Sequence, residues 1–265
     1  GLFAGGLSAG IFLAVLYIGY VLIRGLLDPD FCPSLPRDER ATWKEKLISM
    51  KSVFFPGLLI MVVLGSILLG VATPTEAAAF GAAGALLIGL LKGRLTWEIV
   101  YTSCFETLGV SAMVGWTMIG AGAFGSVFSG LGGNTLITNI AMNMPGGPNM
   151  VFLVSALFIF ILGMFLEPGA IIFLAVPIIA PILSKLGFDP LWVGLAFNVL
   201  LQTAYLSPPF GFSLFYLKGC TPPDVDIVEI YKASVPFMLL QVVCITSIFM
   251  FPDIVMWLPR YIMGM

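Results

Sequence analysis

The chain has 265 residues, 59% of them hydrophobic and only 10% charged, with a formal net charge of −2. A soluble domain carries about 25% charged residues, so this chain cannot cover a water-facing surface. Its apolar residues fall in blocks that match the roughly 20 residues needed to span a bilayer core. A basic patch with interleaved aromatics is absent, which argues against a nucleic-acid partner. The chain lacks histidine, the commonest metal ligand and general base, and its four cysteines show no CxxC spacing, so a metal site or disulfide framework is not indicated.

The chain begins at Gly1 and carries no signal-peptide pattern, so the sequence predicts that coding sequence upstream is missing. The first predicted span runs from Leu7 to Leu22, and Gly6 and Gly10 give it a GxxxG spacing that allows close helix contact. The most polar stretch, Arg24 to Lys51, reads as a water-exposed connection with an amphipathic piece around Trp43. Two further spans follow, Val53 to Val71 and Pro74 to Leu91, the second ending at Lys92 and Arg94. The two basic segments hold eight of the twelve Lys and Arg residues and flank a tight helical hairpin. By the positive-inside rule both are cytoplasmic, which places Gly1 outside.

Leu95 to Glu106 reads as an interfacial helix, with Trp97 and Tyr101 at headgroup level. Thr107 to Met144 is apolar but rich in glycine, which predicts a helix, a break near Gly130–Asn134 and a short second helix. Pro145-Gly146-Gly147-Pro148 is a turn. Asn149 to Ser184 is about 36 nearly continuous apolar residues, too long for one span and too short for two with a loop. Glu167-Pro168-Gly169 sits near its middle. Two half-length helices meeting there as a re-entrant hairpin fit this length best, and one tilted span with an interfacial helix is the simpler alternative. Asp189-Pro190 opens the next element. It runs to Leu217 through Ser207-Pro208-Pro209, where two adjacent prolines remove two backbone donors and force a break at membrane depth. The last span is Ile230 to Met250, with Trp257 and Arg260 beyond it at an interface.

Three constellations carry candidate chemistry. Thr73-Pro74-Thr75-Glu76 is a capping-box pattern at a helix start, read either as structure alone or as polar ligation beside a solute path. Glu167 is one of the few ionisable residues at membrane depth. It faces a cavity or partner, or it is a turn residue at the interface. Gln202, Thr203 and Ser207 flank the double-proline break. Half-helix N-termini there favour anions, and C-terminal carbonyls favour Na⁺. The plainer alternative is a proline kink that only shapes packing. Gly120-Ala121-Gly122-Ala123-Phe124-Gly125 matches GxGxxG, but it lies within an apolar span, follows no strand and has no acidic residue about 20 positions on, so it is not a nucleotide site. With Glu167 alone clearly at depth, a membrane-embedded enzyme lacks the convergent acid, base or metal ligands it needs.

The strings "TPTEAAAFGA", "GMFLEPGAIIFLAVPIIAPIL", "GFDPLWVG" and "LQTAYLSPPFGFSLFYL", in this order, resemble the large (M, DctM-like) membrane subunit of tripartite periplasmic-binding-protein-dependent (TRAP) transporters. The form "SPPFGFSLFYLKG" is similar to the branch for α-keto acids or mannitol/chloroaromatic compounds. The likeness corresponds to the C-terminal part of that subunit, whose first repeat is absent here. It implies an all-α polytopic protein of the bacterial inner membrane, the second half of an inverted-repeat, elevator-type secondary transporter with a re-entrant hairpin (149–186) and a discontinuous helix (190–217). It also implies scaffold helices with a cytoplasmic arm over 1–72, a transport part over 73–222 and a C-terminal scaffold helix over 223–265.

Carried over, Gly163, Met164, Gly169 and Ala170 at the hairpin tip, with Thr203, Ala204, Ser207, Pro208 and Gly211 at the break, would line the Na⁺ site. Gln202, Thr203, Ser207 and Glu167 would meet the substrate. Na⁺ is the implied coupling ion, and no cofactor is implied. The implied partners are the lipid bilayer, the missing N-terminal half, a small (Q) membrane subunit and a periplasmic (P) protein delivering an organic acid anion. An anion entering against an inside-negative potential faces about 2.3 kcal/mol per charge per 100 mV, which coupling to at least two Na⁺ would offset. The competing readings are a binding-protein-independent Na⁺/dicarboxylate symporter of the divalent-anion type and a purely structural or assembly subunit.

Overall fold

Proline and glycine cut the chain into helices at nearly every position where a helix ends. The computed structural model describes residues 1–28, 40–209, 211–222 and 224–264, and twelve helices and no strand occur among them. They fall into two units, 20–110, and 1–19 with 111–265. The predicted exposed arm falls partly on residues 29–39, which lie outside the described residues. Five helices are long and apolar enough to cross a membrane, or six if one bent pair counts as a span, so the chain is a multi-span helical membrane protein.

Helix α1 (Leu2–Leu27) extends the predicted first span at both ends. In the 20–110 unit, α2 (Trp43–Leu68) joins the amphipathic piece and the second span into one helix. The reason is a second capping box. Thr42 Oγ1 accepts from the Glu45 N–H at 3.3 Å, and the Glu45 carboxylate accepts from the Thr42 N–H at 2.7 Å. Gly70, at φ +70°, turns the chain into α3 (Pro74–Leu91), whose bounds match the prediction. A Cβ built on Gly84 of α3 would lie 2.4 Å from Leu59 Cδ1 of α2, so glycine permits this helix contact.

Helix α4 (Trp97–Gly130) corrects one expectation: the interfacial helix and the glycine-rich segment are a single 34-residue helix. Each glycine costs roughly 0.5–1 kcal/mol relative to alanine, but no proline interrupts 97–130. In lipid, unwinding would strand backbone groups that only the helix satisfies. The break does come after Gly130, followed by α5 (Gly133–Met142), with Gly132 at φ +80°.

The remaining helices belong to the 1–19/111–265 unit. Helix α6 (Gly147–Phe165) leads out. Helices α7 (Pro168–Leu174) and α8 (Val176–Lys185) lead back, bent by 55° at Ala175. The return is direct: the Phe152 and Phe188 rings, near the two open ends, lie 5.8 Å apart. The turn falls at the predicted Glu167-Pro168, but the arms are not equal halves. Helix α6 has 19 residues, roughly 28 Å at 1.5 Å per residue, and it is the returning arm that is divided, with Pro177 in the first turn of α8.

Helix α9 (Pro190–Leu206) forms the centre of this unit. Asp189 caps it, its carboxylate accepting from the Leu191 and Trp192 N–H groups at 2.7 and 3.2 Å. Trp192 packs among Phe152, Phe188 and Phe249, and its indole N–H reaches the Ile248 carbonyl at 3.4 Å. Close approach of α1 to α9 runs through Gly5, whose Cβ would lie 2.4 Å from Leu195 Cδ1. The predicted Gly6 and Gly10 have open space at that position, so the small-residue contact is shifted by one residue from the GxxxG reading. After α9 come α10 (Phe212–Cys220), α11 (Ile227–Met250) and a short amphipathic α12 (Asp253–Met263), where Arg260 pairs with Asp253 at 2.5 Å.

Candidate ion and solute site at two helix breaks

The hairpin tip and the break after α9 meet. Gly163, on the last turn of α6, faces Ala204 so closely that a Cβ would fall 2.4 Å from Ala204 Cβ and 3.7 Å from Ile171 Cδ1 of α7. Glycine at 163 is thus a packing requirement that brings Gly163–Ala170 against the last turn of α9.

Pro168 at the start of α7 leaves the N-cap to Glu167, whose carboxylate accepts from the Ala170 N–H at 3.2 Å. It lies over Gly169, where a Cβ would come within 2.7 Å of Glu167 Oε2. Glu167 is half-buried and interacts electrostatically with the phenol of Tyr205. Met164, Gly169 and Ala170 are also half-buried at this tip, and Gly163 is fully buried.

At the break, Thr203, Ala204 and Ser207 are buried, with exposures of 1%, 1% and 0%. Thr203 Oγ1 donates to the Leu200 carbonyl, and Ser207 Oγ donates to the Thr203 carbonyl at 2.7 Å. The Ser207 N–H turns to the Ala204 carbonyl at 3.4 Å, and its own carbonyl accepts from the Gly211 N–H at 2.9 Å. Pro208 and Pro209 have no N–H to offer the carbonyls of Ala204 and Tyr205 four residues back. Gly211, at φ +36° and buried, opens α10 with no side-chain cap. The site thus presents carbonyl and hydroxyl oxygens, hard ligands suited to a small cation. No group of three or more Cys, Asp or Glu side chains able to hold a metal occurs among the described residues.

Gln202 points away from the buried hydroxyls of Thr203 and Ser207. Its side chain is exposed on the outer face of α9. Its carbonyl is what the surroundings engage, accepting from Gln241 Nε2 of α11 at 3.4 Å. Thr73, Pro74, Thr75 and Glu76 lie in the other unit, exposed, as a complete capping box: Thr73 N–H to Glu76 at 2.8 Å, Glu76 N–H to Thr73 Oγ1 at 3.3 Å. Sequence reasoning missed Gln241 and Tyr231 of α11, the latter donating to the Pro209 carbonyl at 2.9 Å. An amide in mid-span was the available signal for Gln241. An apolar cavity of about 480 Å³ between α4, α5, α6 and α8, lined by residues such as Phe124, Ile140, Phe158 and Ile178, has almost no polar wall and offers nothing to an ion or a carboxylate.

The sequence model of the family described as "Tripartite ATP-independent periplasmic transporter, DctM component" matches residues 1–254. The chain is 29% identical over 259 residues to the ectoine/5-hydroxyectoine TRAP transporter large permease protein UehC of Ruegeria pomeroyi, an alignment covering 97% of this chain and 59% of that protein. It is 25% identical over 285 residues to the C4-dicarboxylate TRAP transporter large permease protein DctM of Vibrio cholerae, covering 99% and 61%. It is 31% identical over 245 residues to the isethionate TRAP transporter permease protein DctMQ of Oleidesulfovibrio alaskensis, covering 91% and 37%. The chain therefore spans about three fifths of the length of the first two.

Proposed function

The chain belongs to the DctM component family of tripartite ATP-independent periplasmic transporters, a transporter permease family and not an enzyme family, and from that premise we propose that it forms the site-bearing part of a Na⁺-coupled large permease subunit. In this reading the subunit sits in the bacterial inner membrane and imports an organic acid anion, an α-keto acid or related carboxylate. A periplasmic binding protein delivers the anion, and a small membrane subunit packs beside the large one. The observation that carries the reading is the direct packing of the α6–α7 tip on the last turn of α9, Gly163 against Ala204, beside the buried hydroxyls of Thr203 and Ser207. Two interruptions of helix at one place expose backbone oxygens that a Na⁺ can share.

The anion half of the site follows from charge. No Lys or Arg occurs from residue 186 to residue 217. A carboxylate would be met by the uncapped start of α10, by hydroxyls, and by the remaining part of the subunit. The 167–170 tip and the 203–211 break would move as one body in an elevator stroke, with the tip as a re-entrant hairpin. The names of the relatives cover ectoines, C4-dicarboxylates and isethionate.

The test is uptake of a radiolabelled α-keto acid into proteoliposomes that hold the full-length large subunit and its small subunit, with and without the binding protein and an inward Na⁺ gradient. Uptake that requires both is the expected result. Uptake with Na⁺ but no binding protein would replace this reading with a simple symporter. No uptake of any of several organic acids would refute the substrate class.

A further inference from the structure

We infer that Tyr231 and Gln241 of α11 are positioning residues that hold the backbone of the α9–α10 break in the shape that binds the coupling ion; this rests on the proposed Na⁺ site at that break. The two side chains come from one helix, ten residues apart, about 15 Å along its axis at 1.5 Å per residue, and they take hold of the broken helix on its two sides. Gln241 Nε2 donates to the Gln202 carbonyl, in the last full turn of α9. The Tyr231 hydroxyl donates to the Pro209 carbonyl, inside the break. Between those two points lie Thr203, Ala204 and Ser207, with Gly211 just beyond, the residues whose oxygens or backbone form the candidate ion site.

The break needs such support because its own sequence removes it. Pro208 and Pro209 supply no N–H, and among the described residues the segment between α9 and α10 holds itself by the Gly211-to-Ser207 bond, the weak Ser207-to-Ala204 bond and the Ser207 hydroxyl on the Thr203 carbonyl. Its geometry must be imposed from outside. Helix α11 is the neighbour that does so, packed along α9 with Gln241, Cys244 and Ile248 fully buried.

Gln241 is 0% exposed, and the Tyr17 hydroxyl of α1 lies against its side chain. Tyr17 itself packs edge-on against Phe237, one turn before Gln241. The amide is thus held beside Tyr17 while its nitrogen reaches the Gln202 carbonyl. A helix that holds both sides of the break must also move with it. Helix α11 would then move with the break, whereas the resemblance implied a C-terminal scaffold helix over 223–265.

The experiment uses the full-length large subunit with its small subunit, purified in detergent. Thermal unfolding is followed against NaCl, with choline chloride holding ionic strength constant. The variants are Tyr231→Phe and Gln241→Leu. The control is Ser247→Ala, which removes a half-buried hydroxyl bonded within α11 to the Val243 carbonyl. Loss of one hydrogen bond of ordinary net strength corresponds to roughly a two- to tenfold change in an equilibrium constant. The Na⁺ concentration that half-saturates the stabilisation should rise by about that factor in both variants and stay at the wild-type value in the control. A lower unfolding temperature with unchanged Na⁺ half-saturation would overturn the inference, because that is what a merely structural contact gives.

Hydrogen exchange on the same samples supplies a readout independent of Na⁺. Peptides covering 204–215 should exchange faster in both variants, while those covering 150–162 stay at the wild-type rate. Equal exchange at the break would overturn the inference as well. Should wild-type protein show no Na⁺-dependent stabilisation, the Na⁺ reading of the site falls, and the exchange data alone decide whether α11 holds the break.

Discussion

The starts of α3 and α10 are built from similar residues and behave in opposite ways. Both follow prolines or contain them, and both open an apolar helix. At α3, Thr73 and Glu76 satisfy each other's backbone donors, and the end is closed by its own four residues. At α10, Gly211 has no side chain to cap with, and the preceding Pro208 and Pro209 offer no N–H to the carbonyls of α9 four residues back. A helix end closed by its own sequence is a structural device. An end left open in a buried place has unused hydrogen-bonding capacity, and a transporter can use that capacity for an ion and its anion.

Two glycines with the same local crowding put this contrast to its hardest test. A Cβ at Gly163 would sit 2.4 Å from Ala204 Cβ, which is fixed to the backbone of the last turn of α9. A Cβ at Gly84 would sit 2.4 Å from Leu59 Cδ1, the far end of a flexible side chain. Gly163→Ala should push the tip off the break, cost about 1–3 kcal/mol of stability and reduce solute uptake by at least roughly tenfold. Gly84→Ala should leave uptake within about a factor of two, because Leu59 can change rotamer. Uptake by proteoliposomes and thermal unfolding of both variants measure this. Equal effects would mean that contact between tip and break has no special role.

Next in size is Ser207→Ala. The hydroxyl is fully buried and donates to the Thr203 carbonyl. Its loss should destabilise by about 0.5–1.5 kcal/mol and, if Ser207 also ligates Na⁺, raise the Na⁺ half-saturation of uptake by a comparable factor. A stability change with no change in Na⁺ dependence would leave the hydroxyl as a helix-end brace. Thr73→Ala is the matched experiment at the closed end. It removes an N-cap worth about 1 kcal/mol, and it should lower the unfolding temperature without moving Na⁺ dependence.

The same contrast explains what the sequence made legible. The breaks after Gly130, at Glu167-Pro168 and at Ser207–Gly211 were readable because proline and glycine act locally, through a missing donor or a positive φ. The bounds of α3 were readable because its capping box closes on itself. Three things were not. The unity of α4 was hidden because Trp97 and Tyr101 beside Glu98 and Glu106 read as a separate interfacial helix, while in lipid the unsatisfied backbone of a break costs more. The start of α2 was hidden because Lys44, Glu45 and Lys46 read as part of a water-exposed connection with a separate amphipathic piece around Trp43, although Thr42-x-x-Glu45 is the same signature that marked α3. The tip-to-break contact, and the hold of Gln241 and Tyr231 on α9 and its break, are long-range. Only packing decides which face of α6 or α11 meets that helix. Of the candidate residues, Thr203, Ser207 and Gly163 stand together, whereas the Gln202 side chain is exposed and its carbonyl accepts from Gln241.

The smallest effect concerns the start of α2, a closed end outside the apolar stretch Val53–Leu68. The Thr42 backbone N–H and, next, its hydroxyl donate to the Glu45 carboxylate and hold its pKa below the ordinary value of 4.5. A carboxyl with a depressed folded-state pKa stabilises the capped form above its unfolded value. That contribution is lost as pH falls through the lower, folded-state value. The cap should therefore be intact at neutral pH and begin to weaken only on acidification below about pH 4.5. Protection factors for the Glu45 and Lys46 amides, which divide out the intrinsic pH dependence of exchange, should stay constant down to that point and then fall. In Glu45→Gln the protection should be lower at neutral pH and flat across the same range. Protection that falls already near neutral pH would assign the effect to some other group. Because Glu45 is fully exposed, solvent screens the interaction and the change should stay confined to the first turn of α2. A closed helix end can titrate in this way without consequence for transport, and uptake should follow the wild-type pH profile in Glu45→Gln.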